Sequence, residues 1–235
     1  MLLAAGLGTR LKPWTDHHPK CLAPVNGKPL LQKNIEYLQQ FGISNVVINV
    51  HHFAEQVVAA VKENKGWGSQ INFSDESDEV LETGGGLRKA APHLQDEPFF
   101  VVMNSDILTD MNLGAMIQQH LNTGALATLA VSARESSRYF LFDEKLHLCG
   151  WENTKTGEKK LARQVEHAQK LAFSGIQVLS NEIFKLMKQE GKFSLVDVYL
   201  SLCKDYKLMA FESSDASFLD VGKPDALEKA EKMFT

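Results

Sequence analysis

Apolar positions along the chain fall into short runs and helical stripes that alternate. Val46-Val47-Ile48-Asn49-Val50 is a nearly unbroken β-branched run, the pattern of a strand buried on both faces. Before it, Leu30, Leu31, Ile35, Leu38 and Phe41 recur near helical spacing behind the turn signal Pro24-Val25-Asn26-Gly27, predicting a helix over 28–41 closed by Gly42. Val57, Val58 and Val61 share one side of a predicted helix over 54–64. A short strand is expected at 70–74, an acidic loop at 75–81, a short helix at 87–91 and a buried strand at 99–103. A helix at 111–121 and a strand at 125–132 complete this half. Strands that alternate with helices predict an α/β fold with a mostly parallel sheet. Ligands of such sheets bind outside the carboxyl ends of the strands. The segment after Leu3, the Gly84-Gly85-Gly86 loop and Asp106 all fall at such ends.

The second half is less regular. Strands are expected at 139–142 and 147–151, joined across Asp143-Glu144-Lys145, and again at 171–179, 208–211 and 217–219. Residues 153–160 read as a polar loop. Helices are expected at 183–188, 195–203 and 224–233, the last with Pro224 in its first turn. No internal repeat or low-complexity linker divides the chain, so one domain over 1–235 is expected.

A net charge of −4 disfavours a general nucleic-acid binder and leaves room for a local phosphate site. Cys21, Cys149 and Cys203 lack metal spacing and suit a reducing compartment. Cys21 neighbours Lys20 but reads as a half-buried small residue. His51-His52 has no third ligand spaced nearby and reads as a polar strand end. No signal peptide or membrane-length apolar run is present. A cytoplasmic protein is expected, as a monomer or a homo-oligomer.

The candidate chemistry begins at the first strand. Leu3-Ala4-Ala5-Gly6-Leu7-Gly8-Thr9-Arg10-Leu11-Lys12-Pro13, followed by Pro19-Lys20, reads as a strand ending in a side-chain-poor loop that carries cations. Glycines let backbone approach a ligand closely, and successive N–H groups form an anion nest. Arg10 adds a planar fork for phosphate oxygens and Lys20 a point charge. A P-loop is disfavoured because no Gly-Lys-Ser/Thr follows. A dinucleotide fingerprint is disfavoured because Leu11 stands where a third glycine belongs. Asp106 ends the predicted strand at 99–103, and Asp220 precedes Val221-Gly222. Helix capping fits Asp110 better than Asp106.

The run L-A-A-G-x-G-T-R-L-x-P-x-T-x-x-x-P-K over residues 3–20 resembles the signature of sugar-1-phosphate nucleotidylyltransferases. Asn104-Ser105-Asp106 resembles the family's metal-binding G-D or S-D. Phe218-Leu219-Asp220-Val221-Gly222-Lys223-Pro224 is similar to its W-x-D-V-G-T-P, with Phe218 for Trp and Lys223 for Thr. Leu81-Glu82-Thr83-Gly84-Gly85-Gly86 resembles the L-E-T-G-G-G of uridylyl- and guanylyl-transferring members. Phe173-Ser174-Gly175-Ile176 resembles the F-S-G-I of the N-acetylmuramate and mannose branches.

The resemblance implies a three-layer α/β/α Rossmann-like (GT-A-like) fold with a mixed, mostly parallel central sheet. It implies a nucleotide-binding half at 1–133, a sugar-phosphate half at 134–235 and no C-terminal β-helix. It implies Mg²⁺-dependent transfer from UTP or GTP to a sugar-1-phosphate, giving an NDP-sugar and pyrophosphate. By the same resemblance Ala4, Ala5, Gly6, Gly8, Thr9, Arg10, Lys20, Glu82, Gly84, Gly85 and Asn104 bind nucleotide. Arg10, Lys20 and Asp106 are catalytic, and Asp106 with Asp220 holds the metal. Glu152, Asn153, Lys155 and Gly175 are expected on the sugar phosphate. Relatives carry a few more residues before the glycine loop, so a short first strand is expected here. The alternatives are a heptose-1-phosphate guanylyltransferase, a cytidylyltransferase, or a non-catalytic sensing or assembly subunit on the same fold. The last would be free to lose Arg10, Lys20, Asp106 or Asp220, and all four are present.

Overall fold

The computed structural model describes residues 1–234. In chain order its strands are β1 (Leu2–Leu3), β2 (Pro24–Val25), β3 (Lys28–Pro29), β4 (Asn45–Val50), β5 (Gln70–Asp75), β6 (Phe99–Asn104), β7 (Ile107–Thr109), β8 (Ala127–Ser132), β9 (Arg138–Phe142), β10 (Leu148–Asn153), β11 (Glu158–Leu161), β12 (Gln169–Ser180), β13 (Leu208–Glu212) and β14 (Phe218–Asp220). The helices are α1 (Leu30–Gln39), α2 (Ala54–Glu63), α3 (Glu82–Lys89), α4 (Leu113–Thr123), α5 (Ile183–Leu186), α6 (Leu195–Leu202) and α7 (Pro224–Met233). The fold is α/β with a mixed central sheet. Two compact units interleave along the sequence. One takes Met1–Glu82, Met103–Met111 and the segment from Ser217; the other takes Thr83–Val102 and Asn112–Ala216.

In the first unit β1 lies between β4 and the end of β6, parallel to both, and β5 continues the parallel order beyond β4. The first strand is only two residues long, as expected. β4 is buried from Val46 to Val50. Helix α1 buries Leu30, Leu31, Ile35 and Leu38, and Gly42, at φ 75°, closes it. A second, antiparallel ladder pairs β14 with β7, setting Asp220 opposite Ile107. Below it Leu11, Ala23, Val25, Leu30, Leu108, Val221 and Ala230 form one buried cluster. That cluster ties the loop after β1, the β7 segment and the β14 segment together. Burying a leucine such as Leu11 contributes about 2 kcal/mol.

The second unit is mainly antiparallel: β11, β10, β9 and β12 follow one another, and β8 pairs with the later part of β12. β13 runs parallel to β8. β11 begins inside the segment 153–160 that the sequence presents as a loop and runs one residue past it. Its four residues are all exposed, so it carries no apolar alternation to betray a strand. Among the described residues, no helix is long and apolar enough to cross a membrane.

One buried histidine makes acid stability testable. His120 of α4 meets the Thr128 hydroxyl through Nδ1 at 2.9 Å, and burial lowers its pKa to about 4. Between its ordinary value and about 4, the unfolded chain takes up a proton that the folded chain refuses. Stability therefore falls as pH drops through that window, by up to a few kcal/mol. We expect His120→Gln to lose less melting temperature than the unaltered protein between about pH 6.5 and about pH 4.5. Parallel curves for the two proteins would contradict this.

Candidate active site

The loop after β1 is shaped by contacts that require its glycine. Gly8 sits at φ +63°, and a Cβ there would meet Thr15 Cγ2 at 2.8 Å and Lys20 Cβ at 2.9 Å. No other residue lets the loop close onto the root of Lys20. The Gly8 carbonyl accepts from Leu11 N–H at 2.8 Å and Thr15 Oγ1 at 3.0 Å. A Cβ on Gly6 would meet nothing within 4 Å. Among the described residues none accepts from the N–H groups of Gly6, Leu7 or Gly8. These amides are donors open to an anion.

Lys20 turns its ammonium onto two carboxylates. It forms an ion pair with Asp106 and lies 3.9 Å from Asp220 Oδ1. Arg10 Nη2 lies 3.8 Å from Asp220 Oδ2. The four charged residues singled out by sequence thus come together in the first unit. They differ in exposure. The Lys20 and Asp106 side chains are 12% and 23% exposed, whereas Arg10 and Asp220 are 60% and 47% exposed. An exposed pair contributes less than about 1 kcal/mol, so Arg10 can leave Asp220 at little cost. Lys20 is the fixed cation. Gly222 makes room for this arrangement, since a Cβ on it would lie 2.7 Å from Asp220 Oδ1 and 2.8 Å from Arg10 Nη2.

The backbone under Asp106 is held from three sides. Ser105 N–H donates to Leu3 O at 3.1 Å, and Val221 N–H donates to Asp106 O at 2.8 Å. The buried Asn34 amide donates to Ser105 O at 2.8 Å and to Leu30 O at 3.0 Å. Sequence reasoning misses Asn34. Its signal is a polar residue between Leu31 and Ile35 on the apolar face of α1. Asp110 does not cap α4: it accepts Ser217 N–H at 2.7 Å, and Asn112 is the cap, accepting Ala115 N–H at 3.0 Å. Cys21 is more deeply buried than expected; burial, with the Asp106 carboxylate nearby, raises its pKa to about 12. It is an inert thiol.

The sequence matches the family described as Nucleotidyl transferase over residues 1–235. The chain belongs to that family. It is 29% identical over 233 residues to the N-acetylmuramate alpha-1-phosphate uridylyltransferase of Neisseria meningitidis, covering 99% of this chain and 96% of the relative. It is also 29% identical over 245 residues to the D-glycero-alpha-D-manno-heptose 1-phosphate guanylyltransferase of Aneurinibacillus thermoaerophilus, covering 99% and 96%. Among solved structures it superposes on HddC from Yersinia pseudotuberculosis complexed with GMP-PN, with a TM-score of 0.77 and 26% identity, over 100% of this chain and 98% of that one.

Elsewhere in this nucleotidyltransferase the expected site residues have definite neighbours. Glu82 is in the left-handed region at φ 59°, and Asn104 ends β6 opposite Leu3. Gly84, Gly85 and Gly86 belong to α3 rather than to the expected loop. A Cβ on Gly84 would run into the Phe193 ring, and the Gly84 and Gly85 N–H groups donate to Phe193 O at 2.9 and 3.2 Å. Close packing on Phe193, rather than open amides, explains the glycine at 84. In the second unit Glu152 accepts from Lys170 Nζ at 2.6 Å, so its carboxylate already has a partner, a lysine that sequence reasoning passes over. Asn153 Oδ1 accepts Lys155 N–H at 3.0 Å, within an exposed turn. Gly175 sits at φ +74° where the β12–β8 register shifts between Phe173 and Gln177, a bulge for which glycine is suited.

Proposed function

We propose that this nucleotidyltransferase is a Mg²⁺-dependent sugar-1-phosphate nucleotidylyltransferase using UTP or GTP, with an acceptor of the N-acetylmuramate-1-phosphate or mannose-1-phosphate type. The observation that carries the reading is the cluster of Arg10, Lys20, Asp106 and Asp220 beside the open amides of Gly6 to Gly8. In the reaction a phosphate oxygen of the sugar-1-phosphate bonds to the α-phosphorus. The bond from that phosphorus to the bridging oxygen breaks, and pyrophosphate leaves.

The loop amides and Arg10 neutralise the departing pyrophosphate, and Lys20 holds charge at the reacting phosphate. The donor set suits Mg²⁺: two carboxylates, hard oxygen ligands, both within reach of a single ammonium. Asp106 and Asp220 would hold the ion, which supplies charge neutralisation at the phosphates. The uridylyl- and guanylyl-transferring relatives favour UTP and GTP. A cytoplasmic role in supplying precursors of cell-wall or surface polysaccharide fits this chemistry.

The test is pyrophosphate release from each nucleoside triphosphate paired with each of several sugar-1-phosphates, with Mg²⁺ and with excess EDTA. The expected result is release that needs one pair and stops with EDTA. Nucleotide binding without release for any pair would favour the sensing subunit instead.

A further inference from the structure

Glu76 lies in the segment expected to be an acidic loop, yet it is fully buried. Its carboxylate joins two parts of the chain. Oε1 accepts from Asn49 Nδ2 at 2.7 Å, and Oε2 accepts Leu81 N–H at 3.1 Å. Asn49, itself buried, turns its Oδ1 to Ala4 N–H at 2.6 Å. The backbone of Glu76 is fixed as well: its N–H donates to Val50 O at 2.7 Å, and its carbonyl meets His51 Nδ1 at 2.6 Å. One polar relay therefore runs from Ala4, at the root of the glycine loop, through Asn49 and Glu76 to Leu81. The next residue, Glu82, holds a positive φ of 59°, a conformation that a non-glycine residue keeps only when its surroundings impose it.

We propose that Glu76 is a positioning residue for the nucleotide: with Asn49 as its intermediary, it sets the spacing between the glycine loop at Ala4 and the Leu81–Glu82 corner. The inference rests on the nucleotide reading of those two segments. A general acidic role does not explain the geometry, because both carboxylate oxygens are already occupied by donors. The function follows from polarity. Ala4 N–H and Leu81 N–H are donors at the two ends, so the pair between them must present an acceptor at each end and match one donor to one acceptor at its centre. Asn49 with Glu76 does this. The exchanged pair, Asn49→Asp with Glu76→Gln, also does, with the central bond reversed. The amide then at position 76 donates to the carboxylate then at position 49, and the amide oxygen accepts from Leu81 N–H. Either single change leaves a mismatch, two donors facing each other in Glu76→Gln or two carboxylates in Asn49→Asp, and mismatched buried polar groups are costly.

The experiment compares the unaltered enzyme, Glu76→Gln and the double variant Asn49→Asp/Glu76→Gln. The readouts are calorimetric affinity for UTP and GTP, kcat at saturating substrates, KM for the sugar-1-phosphate, and native-state hydrogen exchange at the Ala4 and Leu81 amides. Glu76→Gln is expected to weaken nucleotide binding by roughly tenfold or more and to speed exchange at Leu81. Its kcat and its KM for sugar-1-phosphate should stay within about threefold, a split that general loosening of the fold would not give. The double variant is expected to recover most of the affinity and the protection. Native affinity in Glu76→Gln, or a folded double variant as weak as the single one, would overturn the proposal. If Glu76→Gln does not fold, the double variant alone decides by the same two criteria; failure of both to fold would make the relay a requirement of the whole fold and overturn the specific role. An unaltered protein that binds no nucleotide contradicts the proposed function, while the exchange data still decide whether the relay holds the two segments.

Discussion

Replacing Lys20 by alanine should lower kcat by about 10²–10³-fold, the loss seen when a single preorganised charge contact to a transition state is removed. The reason lies in how Lys20 is held. Its side chain is largely buried, its root is packed under Gly8, and its ammonium faces Asp106 and Asp220. Such a charge needs no reorganisation when negative charge builds on the reacting phosphate. Arg10 cannot replace it, because Arg10 is exposed and serves the far side of Asp220. Affinity for the nucleotide should change much less than kcat, since the loop amides remain. Arginine at position 20 should not rescue the rate, because a wider head group must enter the space the loop closes over. Steady-state kinetics with matched calorimetry checks this. A kcat within about threefold of the unaltered enzyme would remove the loop from the catalytic account.

The second large effect is expected from Asp106→Asn. Turnover should fall to roughly a thousandth of the original or less, by the same electrostatic argument together with loss of a hard oxygen donor for the proposed Mg²⁺. Nucleotide binding should largely survive. The change also leaves the Lys20 ammonium with a neutral neighbour in a largely buried site, which should cost about 1–3 kcal/mol of stability. Asp220→Asn should be milder in stability, because Asp220 is about half exposed and farther from the lysine. Its effect on turnover should still be large if it shares the metal. Titrating Mg²⁺ against rate distinguishes the roles: both variants should need more Mg²⁺ than the unaltered protein. Unchanged Mg²⁺ dependence in both would assign the aspartates to positioning Lys20 alone.

Much of this site is legible in the sequence because its residues are chemically conspicuous. Glycines beside arginine, lysine and prolines mark a loop with a purpose, and Asp106 and Asp220 each end a short apolar run. The parallel strands of the first unit announce themselves through β-branched runs such as Val46–Val50. What stays hidden is set by long-range packing. Gly84 reads as a place for a ligand, and only the fold reveals that Phe193 fills it. Glu76 sits among Asp75, Asp78 and Glu79, where nothing local separates one buried carboxylate from its solvated neighbours. Lys170 and Glu152 meet across strands although they are 18 residues apart in sequence, beyond the reach of any local pattern. β11 escapes for a similar reason: an edge strand with no buried face has no apolar period to detect. Chain-order reading is also blind to interleaving, in which residues near Asp106 and after Ser217 join the first unit across long intervening segments.

The most direct test of nucleotidyl transfer at this site follows the oxygen atoms. The sugar-1-phosphate that supports pyrophosphate release is labelled with ¹⁸O at its non-bridging phosphate oxygens and turned over with its nucleoside triphosphate. The products are then weighed by mass spectrometry. Attack by the sugar phosphate on the α-phosphorus predicts an NDP-sugar that retains every labelled oxygen, formed in step with unlabelled pyrophosphate. Label in the pyrophosphate, or nucleotide consumed without any NDP-sugar, would contradict the account.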